Sequence, residues 1–276
     1  MSAELIGSAR IAKRFADLKA EGRAGLAAFI TAGDPDIKTS SAILKQLPDA
    51  GADIIELGMP FSDPMADGPA VQASSQRALD NGASMIKTLD MVRIFRQGDS
   101  VTPIILMGYF NPVYVYGVEK FVADAAEAGV DGFIIVDLPP EESEMREPVE
   151  NAGLSFIYLA TPTTDDERLP TVVEHASGFI YYVSVTGVTG TSSAATADIE
   201  TALARLRRHS DLPITVGFGI RTAEQAAEIG KHAEAIAVGS AFVNKVAENL
   251  NEDGTAKDSC ADAVLDLVRE ISSGLT

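Results

Sequence analysis

Short apolar runs alternate with longer amphipathic stretches along the whole chain. The runs are Gly25–Thr31, Ile54–Gly58, Pro103–Met107, Gly132–Val136, Ser155–Leu159, Phe179–Val183, Ile214–Gly217 and Ala235–Val238. They are almost continuously hydrophobic, the pattern of parallel strands covered on both faces rather than of a sheet with a wet side. Between them, stretches such as Val118–Ala128 and Thr222–Gly230 carry apolar residues at helical spacing. Strand–helix alternation implies βαβ units and a parallel sheet. Eight strands about 30 residues apart, within about 250 residues, predict a closed eight-stranded (β/α) TIM barrel. A further helix, Ala9 to Glu21, precedes the first strand. The alternative, an open doubly wound sheet, usually carries a glycine-rich dinucleotide fingerprint after its first strand. Here that turn is TAGDPD.

No Pro/Ser-rich hinge or low-complexity linker divides the 276 residues, so one catalytic domain over 1–276 is expected. No apolar run reaches the roughly 18 residues of a membrane span. The start, MSAELIGSARIAKRF, has no signal-peptide core. One cysteine, Cys260, rules out an internal disulfide, and a reducing cytoplasm is expected. The net charge of −18 argues against nucleic acid and anionic membranes as partners. It also means that an anionic substrate would need a local site of backbone amides.

Barrel enzymes place their chemistry at the carboxyl ends of the strands. That rule selects Glu56 in the second strand and the following loop with Ser62, Asp63 and Asp67. It also selects Gly108–Asn111, Asp137, Ser184–Gly190, Gly217–Gly219 and Gly239–Ser240. Glu56 stands in IIELG, where a charge costs several kcal/mol unless paired. It is either a structural carboxylate or a perturbed acid/base. The loop PFSDPMADGP is turn sequence. Asp63 reads as a turn former, and Asp67 as either the N-cap of a helix at Ala70–Asn81 or the second member of a carboxylate pair. Glycines after the last three strands (GVTG, GFG, GS) suit an anion held by amides and a helix N-terminus. His175, His209 and His232 lie far apart without metal-ligand spacing, and Cys260 reads as packing. No metal or cofactor signature is present in the sequence.

The run ELGMPFSDPMADGP (Glu56–Pro69) closely resembles the signature of the tryptophan synthase alpha subunit family. The likeness continues through FITAGDP, MGYFNPVYVYG, VDLPPEE, SVTGVTG, VGFGI and VGSAFV along nearly the whole chain. The resemblance implies a lyase of tryptophan biosynthesis that cleaves indole-3-glycerol phosphate into indole and glyceraldehyde 3-phosphate. By the same resemblance Glu56, Asp67 and Tyr181 are catalytic, with Tyr182 beside Tyr181 in the sequence. Phe29, Tyr109 and Phe218 line an indole pocket, and Gly190, Gly219, Gly239 and Ser240 hold the phosphate. The loop after the second strand and the MGYFNP segment with Asn111 face a beta subunit in an α₂β₂ assembly. Pyridoxal phosphate belongs to that partner, so this chain needs no cofactor. One departure stands out: in the loop after the sixth strand some members have an arginine where this chain has Val185, so a loop-closing ion pair at this position is not carried over from the resemblance. The Gly/Ser/Thr-rich segment from Ser184 to about Ala195 is expected to be mobile and to order on binding. The carboxylate motif separates this reading from another phosphate-binding barrel enzyme, and also from a noncatalytic regulatory subunit.

Overall fold

The computed structural model describes residues 5–184, 192–217 and 219–276, with the backbone alone for 192–196. Its strands are β1 (Gly25–Thr31), β2 (Ile54–Gly58), β3 (Ile104–Gly108), β4 (Gly132–Ile135), β5 (Ser155–Phe156), β6 (Leu159–Ala160), β7 (Ile180–Val183), β8 (Ile214–Gly217) and β9 (Ala235–Val238). The helices are α1 (Ser8–Glu21), α2 (Ile37–Gln46), α3 (Pro69–Asp80), α4 (Met85–Arg96), α5 (Phe110–Tyr116), α6 (Val118–Ala128), α7 (Arg146–Asn151), α8 (Leu169–Glu174), α9 (Ser192–Leu206), α10 (Ala223–Gly230), α11 (Ser240–Glu248) and α12 (Cys260–Ser273).

All strand pairs are parallel, in the order β5-β4-β3-β2-β1-β9-β8-β7-β6. The expected fifth strand is thus two short pieces. β5 bonds to β4, while β6 bonds to β7. Between them Ile157 N–H still reaches Phe133 O (2.9 Å), and Tyr158 O accepts from Tyr181 N–H (3.1 Å). Residues 155–160 therefore close the barrel as one staggered crossing. Carried round the barrel, the register returns to β1 displaced by eight residues, from Phe29 to Glu21. That is the stagger of a (β/α)₈ barrel.

With this stagger, alternate strands contribute four inward side chains to each level. Phe29, Met107, Leu159 and Gly217 form the upper one. Glu56, Ile134, Tyr181 and Ala237 lie beneath, then Ala27, Ile105, Ile157 and Thr215, then Ile54, Gly132, Phe179 and Ala235. The aliphatic residues of the lower three levels and Phe179 form one buried cluster with Ile11, Phe15 and Leu18 of α1, against which Met107, Leu159 and Tyr181 pack. α1 therefore plugs the amino-terminal end of the barrel, its Phe15 ring 5.7 Å from that of Phe179. The outward side chains, such as Ile55, Leu57 and Tyr182, pack beneath the helices in a second cluster. This decides between the adjacent tyrosines: Tyr181 faces the barrel interior and Tyr182 does not.

The plugged end carries a fourfold pattern. Asp53 accepts the N–H of Leu26 (2.8 Å), Asp131 that of Ile104 (2.9 Å), Ser177 that of Phe156 (2.8 Å) and Glu234 that of Ile214 (2.9 Å). Each acceptor shortly precedes an even-numbered barrel strand and satisfies a backbone donor at the start of the preceding strand. Arginines neutralise the carboxylates: Arg14 and Arg23 at Asp53, Arg10 and Arg96 at Asp131, Arg207 at Glu234.

Candidate active site

Glu56 projects into the barrel one level below the mouth. It is fully buried, and neither carboxylate oxygen has a hydrogen-bonding partner among the described residues. An ionised carboxylate is costly there, and burial alone pushes its pKa up to about 8. The structural alternative, a carboxylate neutralised by an arginine or by amides, does not hold in this geometry. Tyr181 occupies the same level, and burial, then the nearby Glu56, raise its phenol well above the usual range. At neutral pH both groups carry their protons.

Asp67 sits on the loop above. It does not cap α3: the N-cap is Gly68, with no side-chain cap bond, and Pro69 opens the helix. Instead Asp67 is half-buried and takes a hydrogen bond from Tyr109. Burial raises its pKa, and the Tyr109 bond opposes that rise. The Tyr109 hydroxyl also accepts the N–H of Ala66 (2.9 Å) and so fastens the loop at two consecutive residues. Burial and Asp67 push this phenol up to about 12. Phe29, Thr31, Gly58, Asp67, Met107 and Tyr109 border a narrow cleft at the mouth. Glu56 lies at its floor by the register of β2. Phe29 fits because Gly58 and Gly239 on the neighbouring strands have no side chain; a Cβ on Gly58 would stand 2.6 Å from Phe29 Cζ.

On the far side of the mouth, β9 runs into α11. Gly239 is its N-cap without a side-chain cap bond, and Ser240 opens the helix. The first intrahelical bond runs from Val243 N–H to Gly239 O. The amides of 240–242 therefore precede the helical ladder and carry the positive end of the dipole. Gly219, after β8, is exposed with φ 67°, a left-handed conformation that suits glycine. Gly190, Phe218 and Val185 lie outside the described residues. Of the segment expected to be a mobile loop from Ser184 to about Ala195, residues 192–195 belong to α9.

Other selected residues have local roles. Asp137 accepts Phe110 N–H (2.8 Å) at the start of α5. Asp63 is exposed and bonds Ser62 (2.6 Å). His175, His209 and His232 meet Arg146, Asp166 and Glu200 respectively, and Cys260 is buried in packing. Among the described residues no cluster suits a metal ion, and no helix is long and apolar enough to cross a membrane. A cavity of about 1250 Å³ lies at the plugged end between α1 and the C-terminal residues. Neither Glu56 nor Asp67 lines it.

The sequence profile of the family described as tryptophan synthase alpha chain matches residues 15–272. The chain belongs to this family. Among solved structures, tryptophan synthase subunit alpha from Legionella pneumophila str. Paris is 39% identical, covering 96% of this chain and 97% of its own, with a TM-score of 0.87. A protein from Aquifex aeolicus VF5 is 35% identical (96% and 98% covered, TM-score 0.84). The aminoacrylate-bound tryptophan synthase from M. tuberculosis is 33% identical (97% and 99%, TM-score 0.84). The activity is that of the family: a carbon–carbon lyase that splits indole-3-glycerol phosphate by retro-aldol cleavage, alongside a beta chain.

Proposed function

We propose that Glu56 is the acid and base of the cleavage, with Asp67 and Tyr181 completing the catalytic set. The observation that carries this reading is a fully buried carboxyl just below the barrel mouth with no hydrogen-bonding partner among the described residues, a setting that raises its pKa. Protonated Glu56 donates to C3 of the indole ring, and Asp67 accepts the indole N–H and stabilises the cation that forms. The Glu56 carboxylate then takes the proton of the side-chain hydroxyl. The C3–C bond breaks, its electrons return to the ring, and indole and the aldehyde separate. Glu56 regains its proton, so the cycle balances. Tyr181, held neutral, gives the carboxyl a polar wall across the barrel.

Phe29, Tyr109 and Phe218 would enclose the indole. Gly190, Gly219, Gly239 and Ser240 would hold the phosphate through amides and the α11 dipole, as an acidic protein requires. Met65, Tyr114 and Val115 are exposed apolar residues beside exposed Asn111, which suits a beta-subunit surface of an α₂β₂ complex. The whole chain, 1–276, acts as one domain, in the cytoplasm and without a cofactor of its own.

Asp67→Asn keeps the shape and an acceptor for Tyr109 but removes the charge. It is expected to lower kcat roughly 10²–10³-fold in a steady-state indole assay. Activity within threefold of wild type would exclude the charge-stabilising role. Gly58→Ala displaces the Phe29 ring and is expected to lower kcat/KM on the order of 10²-fold, with an unchanged circular dichroism spectrum. An unchanged kcat/KM would show that Phe29 does not shape the pocket.

A further inference from the structure

A second polar group lies inside the barrel without a partner. Thr215 is fully buried, and its Oγ1 makes no hydrogen bond among the described residues. Its register partners are Tyr181 on β7 and Ala235 on β9, which also face inward. It therefore projects into the interior one level below Glu56 and Tyr181. Elsewhere these two levels hold only Ala27, Ile105, Ile134, Ile157 and Ala237. Valine would fill the same volume without burying a hydroxyl, so an orphan threonine here calls for a partner.

The small side chains lie between the two polar groups. Glu56 is on the second barrel strand and Thr215 on the seventh. The intervening first and eighth strands present Ala27 and Ala237. A buried water typically makes about three hydrogen bonds to groups otherwise unsatisfied. Glu56 and Thr215 supply two such groups across one small-residue wall, while the Tyr181 hydroxyl lies higher, beside Gly217.

We propose that Thr215 is a positioning residue for Glu56, holding through one buried water the lower oxygen of the carboxyl so that its proton points to the mouth. The inference rests on Glu56 being the acid and base. The threonine hydroxyl donates to the water, and the water donates to the carbonyl oxygen of the protonated carboxyl. The O–H is then the atom left facing substrate. Thr215 touches neither substrate nor the reacting atoms.

The test uses Thr215→Val and Thr215→Ser in the complete complex with the beta chain, each with a denaturation curve to verify folding. Thr215→Val is expected to lower kcat for indole release about tenfold, with KM within twofold of wild type. Thr215→Ser should restore kcat to within about twofold. Infrared difference spectra, each variant minus its Glu56→Gln counterpart, isolate the Glu56 carboxyl. Its C=O band should move to higher frequency in Thr215→Val and return in Thr215→Ser. Wild-type kcat and an unmoved band in Thr215→Val would overturn the proposal. So would equal losses in the valine and serine variants. Full activity in Glu56→Gln itself would instead overturn the underlying assignment of the acid and base.

Discussion

Replacing Glu56 by glutamine is expected to make the protein more resistant to urea at pH 9 than the wild type, while lowering turnover roughly 10²–10⁴-fold. The two effects share one cause. Glu56 is buried without a partner among the described residues, and its pKa rises from 4.5 to about 8 on folding. A carboxyl whose folded pKa is raised binds its proton more tightly in the folded state than in the unfolded chain. Folding therefore carries no penalty from it below pH 4.5. The penalty grows as the unfolded chain ionises first, and it levels off once the folded state also loses the proton, above pH 8. Glutamine has no such cost at any pH. The stability of Glu56→Gln relative to wild type should thus rise by about 2–3 kcal/mol between pH 6 and pH 9. Urea midpoints at the two pH values read this directly, with unchanged slopes verifying a comparable unfolding transition. Parallel pH dependence in the two proteins would mean that Glu56 is solvated or paired, and would remove the basis for a neutral acid at the mouth.

The second large effect belongs to the opposite end of the barrel. Asp131→Asn is expected to destabilise by about 3–5 kcal/mol. Asp131 is fully buried and meets Arg10, itself 3% exposed, and Arg96 at 2.7 Å. It also satisfies Ile104 N–H at the start of β3. Asparagine can keep the amide contact, but Arg10 loses the carboxylate it meets in a low-dielectric site, while Arg96 retains Asp99 at 3.9 Å. Unpairing a buried charge costs far more than an exposed pair contributes. At roughly 2–4 °C per kcal/mol for a chain of this size, Tm should fall on the order of 10 °C. The remote mouth should keep the wild-type KM at 20 °C. Scanning calorimetry checks the stability, and a Tm within 2 °C of wild type would show that other groups neutralise the arginines.

The barrel itself was legible because its strands are buried on both faces. IIELG, ITVG, AIAV and GLAAFIT read as strands with the bounds the structure shows. The fifth was not, because its apolar run says nothing about which neighbour each half bonds to. Its split into β5 and β6 is set by the closure of the ring. Glu56 stood out because a charge in an apolar strand has few cheap explanations. Its lack of a partner among the described residues is a three-dimensional fact, and it is what favours the proposed acid/base reading over a paired structural carboxylate. The two readings of Asp67 could be separated only by seeing Gly68 as the helix cap and Tyr109 reaching over from the next strand's end. Thr215 gave no signal, since a threonine inside ITVG is an ordinary β-branched strand residue. The acids before the even-numbered strands were likewise invisible: Asp53 and Asp131 stand just ahead of apolar strands, and nothing in GADI or GVDG marks them as partners of a neighbouring strand's amide.

The most direct test is indole release from indole-3-glycerol phosphate in a single turnover, with wild type and Glu56→Gln side by side in complex with the beta chain. The expected result is release by the wild type and at most about 1% of that rate in the variant, with substrate binding retained. Equal release by both proteins, or none from the wild type, would contradict Glu56 as the acid and base of this cleavage.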